Sequence, residues 1–184
     1  MAAEQRGSAR LIVQTDSEGW FAGVAYDVAV ATPDAVVVAQ VDVDAPERST
    51  ATLSVPVRSF VAHALRRHGS KKPAALSDAE ARQIAGKCRD ALERAFGPSL
   101  EVTIGAGARR RDGHAAFEAT VRGSRQPVEV VIDLLEVTPE RVRIAGHGVA
   151  SLAALGVPGV KAPLGLMVVA DRIEIGFEAT LISG

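Results

Sequence analysis

The chain has very little cysteine and almost no net charge. Cys88 is the single cysteine among 184 residues, so an internal disulfide is excluded, as are zinc sites built from several thiolates. The 21 basic and 22 acidic side chains give a formal net charge of -1, which provides no general electrostatic attraction to nucleic acid. We therefore expect no nucleic-acid partner.

Long apolar runs are missing as well. No window approaches the roughly 18 uninterrupted apolar residues of a transmembrane helix, and residues 1–9 lack the apolar stretch of a secretion signal. These absences predict no stable membrane span and a cytoplasmic location. With 47% hydrophobic residues the chain can bury one core. We expect residues 1–9 to be disordered and residues 10–184 to form a single domain.

The N-terminal third predicts short strands separated by turns. Residues 11–14 and 20–30 are strand-like on either side of the turn signal 16–19. Residues 36–43 and 50–57 predict two more strands, and Thr32, Pro33 and Asp34 look like a break before the first of them. A short helical turn is predicted at residues 58–65.

The middle of the chain predicts one main helix. Ser77 followed by Glu80 is a capping box, in which each residue accepts a hydrogen bond from the backbone amide of the other. Gly97 and Pro98 predict where the helix ends. One apolar stripe recurs at spacings of three and four residues; its members are Ile84, Cys88, Ala91, Leu92, Ala95 and Phe96.

After Pro98 the apolar residues occupy every second position. The faces defined by this alternation are Leu100, Val102 and Ile104; Phe117, Ala119 and Val121; Val128, Val130, Ile132 and Leu134; and Ile173, Ile175, Phe177, Ala179 and Leu181. Charged residues such as Glu118 and Glu129 lie between them, which is typical of antiparallel sheets that are wetted on one face. The pattern predicts an all-β fold with one main helix, in which the sheet curls into a barrel or sandwich.

The segment 119–128, ATVRGSRQPV, resembles the strand, glycine turn, proline and strand signature of YceI-like proteins. The resemblance extends from about Trp20 onward. Other segments follow the order of elements in that family. Residues 53–60 match a strand, the helix from Ser77 a helical insertion, and the segment from Leu100 the next strand. Residues 146–157 match a glycine-containing loop, and residues 171–175 match a final strand that is opened by aspartate. The resemblance implies an antiparallel, lipocalin-like barrel with a helix packed beside it. It also implies a carrier of an apolar, chain-like ligand such as an isoprenoid lipid, with no catalytic residue and no cofactor.

Burial of apolar ligand surface requires no polar machinery. The candidate ligand-binding residues are therefore the inward aromatic and aliphatic side chains of the predicted barrel, namely Phe60, Phe96, Val102, Ile104, Phe117, Val130, Ile132, Met167 and Phe177. The alternative is that these residues fill a closed core, as inward residues of small barrels commonly do. The sequence also leaves a homodimer open, because sheet edges can pair.

Two other classes of function stay open. Basic runs at residues 66–72 and 109–111 could contact an anionic partner if the barrel were an interaction module with a fully packed core. An enzyme with a histidine-bound metal is less favoured, because His63, His68, His114 and His147 are scattered without ligand spacing. Neither Ser54 nor Ser151 has the sequence context of a nucleophile. We predict no metal site.

Overall fold

A computed structural model of the chain describes residues 3–18, 26–67, 72–109, 114–138, 140–157, 159 and 168–183. Within these residues the strands are β1 Ala3–Glu18, β2 Tyr26–Val41, β3 Thr50–Pro56, β4 Val61–Arg67, β5 Pro73–Ala74, β6 Ser99–Ile104, β7 Ala108–Arg109, β8 Ala115–Val121, β9 Val128–Val137, β10 Arg141–Ser151 and β11 Val168–Ser183. The helices are α1 Asp78–Phe96 and α2 Leu152–Leu155, with 3-10 turns at Pro46–Arg48 and Val57–Ser59. No helix in this described part of the chain is long and apolar enough to cross a membrane.

The strands form a closed, antiparallel, eight-stranded barrel. Neighbouring strands pair in the order β1, β11, β10, β9, β8, β6, β3 and β2, and β2 pairs back to β1 along nearly its whole length. β4 continues along the edge of β2 beyond β3, and the short strands β5 and β7 pair with β4 and β8. The predicted all-β barrel with one main helix is confirmed.

The predicted alternation decides which side chains face the lumen. Along β9, Val128 and Val130 are buried, whereas Glu129 between them is exposed. The apolar faces predicted on β6, β8 and β11 also point into the barrel, where they join one hydrophobic core. The predicted turn between β8 and β9 is present as well, and Gly123 occupies it with a φ of +88°, a conformation that favours glycine.

The predicted disorder of residues 1–9 is wrong for residues 3–9, and residues 1 and 2 lie outside the described residues. Residues from Ala3 onward belong to β1, which pairs with β11 on one edge and with β2 on the other. Gly7 permits this packing, because a Cβ there would lie 2.9 Å from the Cα of Leu181. The predicted turn at residues 16–19 is also wrong as far as Glu18, since Ser17 and Glu18 pair with β11.

Pro33 does not break the chain into two strands as predicted, because β2 continues through it. On one edge of β2 the partner changes from β4, which pairs up to Ala31, to β3, which pairs from Val36. On the other edge the register with β1 shifts between Ala9 and Leu11. A missing amide is tolerated at such a bulge, where ladder hydrogen bonds are interrupted anyway.

The helical turn predicted at residues 58–65 is also wrong. Only Val57–Ser59 is helical, as a single 3-10 turn, and the chain then extends as β4. Pairing with β2 overrides the apparent helical spacing in this segment, since Val61, Ala62, Ala64 and Leu65 all have partners there.

The main helix begins and ends as predicted. The Ser77 hydroxyl accepts from the Glu80 amide at 3.3 Å, and the Glu80 carboxylate accepts from the Ser77 amide at 2.9 Å. Gly97, with a φ of +78°, ends α1. The helix packs against β4, the Val57–Ser59 turn and β6, and the Arg89 guanidinium donates to the carbonyl of Phe60 at 2.8 Å. This places α1 beside the barrel, against β4.

The segment 146–157 is not the glycine-containing loop implied by the resemblance. Its first half belongs to β10, which pairs with β9 and β11. In this half of β10 the inward positions are Gly146, Gly148 and Ala150, so the alternation that marks the other strands has no large side chains here. Glycine is required at the first two of these positions, because an added Cβ would lie 2.7 Å from the Val131 carbonyl oxygen or 2.8 Å from that of Glu129.

Candidate ligand-binding cavity

The barrel contains a cavity of about 410 Å³ between its strands and the two helices. Strands β1, β2, β3, β6, β8, β9 and β11 form most of its wall, and α1 and α2 complete it. This volume lies within the range of about 300–1,000 Å³ that is usual for small-molecule sites. The inward side chains of the described residues therefore leave space inside the barrel, which argues against a fully packed core.

The cavity wall is almost entirely apolar. Of the described residues that line it, only Thr15, Lys87 and Cys88 carry polar side chains. The Thr15 hydroxyl already donates to the carbonyl of Val28 at 3.1 Å. Lys87 is exposed on α1, so its alkyl stem borders the cavity while its ammonium group can stay in solvent. Burial raises the pKa of the Cys88 thiol to about 11, which keeps this thiol neutral at ordinary pH.

A second, smaller chamber lies farther along the lumen. It has a volume of about 70 Å³ and is lined by residues such as Phe117, Ile132 and Leu181. Among the described residues, only Leu53, Ile104 and Phe177 border both chambers. We call these three side chains, which form the shared border of the large and the small chamber, the partition.

Eight of the nine predicted ligand-binding residues lie around this divided lumen. Phe60, Phe96, Val102 and Val130 line only the large chamber, Phe117 and Ile132 line only the small one, and Ile104 and Phe177 belong to the partition. Met167 lies outside the described residues. Contact between these side chains and a ligand stays a prediction.

Several lining residues were missed by the sequence analysis. Leu11 and Val13 on β1 alternate in the same way as the chosen residues, so the same criterion could have found them. The lining residues of α2, Leu152 and Leu155, and Val157 just after it were not detectable in this way, because so short a segment has no measurable periodicity.

Hydrogen bonds at its N-terminal end hold α2 against the cavity. The Ser151 hydroxyl accepts from the Ala154 amide at 3.0 Å, and the Asp171 carboxylate accepts from the Ala153 amide at 2.8 Å. Hydrogen bonds from the Ser151 hydroxyl and the Ala153 amide lower the pKa of Asp171. Gly156 ends the helix in the left-handed conformation, with a φ of +81°. Ser151 and Asp171 therefore position the leucines of α2.

The histidines do not form a metal centre within the described residues. No three His, Cys, Asp or Glu side chains come together there. His63 approaches the Arg10 guanidinium at 3.5 Å, His114 pairs with Asp133, and His147 is exposed. His68 lies outside the described residues.

The two serines considered as nucleophiles have structural partners. The Ser54 hydroxyl donates to the Glu101 carboxylate at 2.9 Å, on the neighbouring strand. Ser151 caps α2, as described above. Neither hydroxyl has a histidine partner among the bonds of the described chain.

The basic runs are described only in part. Arg66 lies 3.5 Å from both Asp16 and Asp27, and Asp27 is 3% exposed. This arginine is therefore engaged within the protein. Residues 68–71 and 110–111 lie outside the described residues, so contact of these runs with an anionic partner stays a prediction.

Comparison with solved structures identifies proteins with a similar fold. A polyisoprenoid-binding domain from Saccharophagus degradans, implicated in plant cell wall breakdown, superposes with a TM-score of 0.60 over 100% of both chains at 10% sequence identity. BcnA from Burkholderia cenocepacia gives a TM-score of 0.59 over 94% of this chain and 95% of its own, at 17% identity. No protein-family model and no curated sequence matches this chain. The predicted YceI-like fold is thus shown by the structural similarity.

Proposed function

We propose that this protein binds and carries an apolar, chain-like molecule of the isoprenoid lipid type in the large chamber. The observation that carries the proposal is the hollow, apolar lumen of about 410 Å³. The Saccharophagus degradans domain, named for polyisoprenoid binding, has the same fold and supports this ligand class.

The dimensions of the chamber favour a chain over a compact ring system. Along β11 its wall extends from Val169 to Phe177, and a strand rises about 3.3 Å per residue, so this wall is roughly 26 Å long. A cavity of this length and volume is narrow. An extended hydrocarbon chain fills such a space with few voids.

The apolar wall can supply useful affinity by itself. Transfer of each methylene from water contributes about 0.8 kcal/mol, so ten buried methylenes contribute about 8 kcal/mol before the costs of association. No acid, base or nucleophile is needed for this purpose. Binding without chemical conversion is accordingly part of the proposal.

Mass spectrometry of an organic extract of the purified protein tests the ligand class directly. We expect a co-purified apolar chain, or uptake of a fluorescent isoprenoid alcohol by protein that has been stripped with solvent. Protein that carries no lipid and takes up none of the probe would overturn the proposal.

A pair of neighbouring helix variants tests the location of the ligand. Leu92 lines the chamber and Glu93 is exposed to solvent. We expect Leu92→Trp to fill part of the cavity and to weaken probe binding about tenfold or more, whereas Glu93→Trp retains the affinity of the original protein. Thermal unfolding of both variants checks that they are folded. Equal affinities in the two variants would contradict binding in this chamber.

A further inference from the structure

The partition residues come from two opposite parts of the barrel wall. Leu53 and Ile104 come from the adjacent strands β3 and β6, and Phe177 comes from β11. In the strand order of the barrel, β11 is separated from β6 by β10, β9 and β8, and from β3 by β1 and β2. An apolar chain that entered the large chamber would therefore meet the Phe177 side chain before it reached the small chamber.

The position of the Phe177 ring is held by the strand beside it. Phe177 pairs across the sheet with Gly146, and its ring occupies the space that a side chain on Gly146 would take, with Cε1 2.6 Å from the site of such a Cβ. Phe177 is only partly buried and packs against the buried core cluster. Its ring thus borders empty space in both chambers.

We propose that Phe177 sets the maximum length of the chain that this protein accepts, by forming the end wall of the large chamber. This inference rests on the proposed function and adds the residue that determines ligand length. The space beyond the ring is apolar and already partly empty. Loss of the ring would join the two chambers and allow a longer chain to bury its end.

The test is a chain-length series measured by displacement of the fluorescent isoprenoid alcohol. Geraniol, farnesol, geranylgeraniol and solanesol supply increasing lengths of the same chemistry. In the original protein we expect affinity to rise with length and then to fall. In Phe177→Ala we expect the optimum to move to a longer member of the series, with a gain of about tenfold or more for longer over shorter chains.

Phe117→Ala is the matched control. Phe117 lines the small chamber and not the large one. Loss of its ring therefore enlarges the small chamber, while Phe177 still forms the end wall of the large one. We expect its length optimum to remain that of the original protein. Phe177→Leu removes less volume, and we expect an intermediate shift; this variant also serves as the test if Phe177→Ala does not fold.

The outcomes separate the two proposals. Binding of the series with the same optimum in the original protein and in both Phe177 variants overturns the role of Phe177 but leaves the proposed function standing. An equal shift in Phe117→Ala also overturns that role. If the original protein binds no member of the series, the proposed function and the inference both fail.

Discussion

The aromatic ring of Phe177 covers the backbone of Gly146 on the neighbouring strand. The two residues are cross-strand partners in the pairing of β10 with β11, and a methyl group on Gly146 would overlap the ring. The same arrangement explains why β10 carries glycine at an inward position and how a large aromatic side chain fits in a narrow barrel. Strand pairing and lumen shape are therefore coupled at this point.

Gly146→Ala tests this coupling. We expect a loss of about 1–3 kcal/mol in the free energy of unfolding, because overpacking displaces the ring and the Val131 carbonyl oxygen, which lies 2.7 Å from the site of the new Cβ. Chemical denaturation measures the change. Gly176→Ala is the control, since nothing lies within 4 Å of a Cβ at that neighbouring position; we expect its stability to be unchanged or higher by up to about 1 kcal/mol. Equal losses in the two variants would contradict the assignment.

Cys88 reports on access to the large chamber. Burial raises its pKa to about 11, so at neutral pH the reactive thiolate is scarce. We expect iodoacetamide to alkylate the folded protein slowly, at a rate that rises about tenfold per pH unit up to about pH 10. In denaturant the rate should reach half of its maximum at about pH 8.5, the pKa of a free cysteine, and level off above it. A folded-state rate equal to the denatured rate at neutral pH would show that the thiol is accessible.

Asp171 is expected to affect ligand affinity without touching the ligand. Its carboxylate holds the Ala153 amide of α2, whose Leu152 and Leu155 line the large chamber. Asp171→Ala should weaken probe binding by a few-fold, because these leucines lose their fixed position. Glu174 is an exposed residue on the same strand, and Glu174→Ala should leave binding unchanged. A titration of both variants with the fluorescent isoprenoid alcohol measures the difference, and identical affinities would dismiss the role of Asp171.

The contribution of Asp171 should also depend on pH. Its pKa is lowered in the folded protein, so its ionised form favours folding. This contribution is complete above the pKa of an unfolded aspartate and disappears as pH falls through the lower, folded value. We expect stability profiles of the original protein and of Asp171→Ala to converge in acid. Profiles that stay parallel down to the lowest pH would contradict this.

Ser77→Ala removes the hydroxyl of the capping box. We expect about 1 kcal/mol lower stability, measured by denaturation, whereas alanine at Ser8, an exposed serine on β1, should have little effect. Hydrogen bonds from the Ser77 hydroxyl and then from its amide lower the pKa of Glu80. The stabilisation by ionised Glu80 is present above its unfolded pKa and is lost in acid. The acid-dependent part of the stability should thus be smaller in Ser77→Ala, and an unchanged pH profile would argue against the capping box.

Local patterns in the sequence were sufficient for much of the fold and part of the site. Alternation along β6, β8, β9 and β11 predicted the lumen-facing residues, since neighbouring side chains of a strand point to opposite faces whatever the partner strand is. The capping box and the Gly123 turn were equally predictable, because each depends on a few adjacent residues. Phe177 was placed in the lumen by this alternation and Phe96 by the apolar stripe of α1. Phe60 lay in the predicted helical turn at residues 58–65, which is wrong.

Contacts between distant residues decided the remainder. Pro33 lies within a continuous strand because β2 changes partner there, and residues 3–9 are ordered because β11 and β2 pair on both sides of them. Gly146 belongs to a strand because Phe177, 31 positions away in the chain, fills the space above it. Whether the lumen is hollow depends on the distance between opposite walls, and barrel closure and the packing of α1 set that distance. Periodicity identifies an inward side chain, but only the assembled walls determine whether it meets another side chain or empty space.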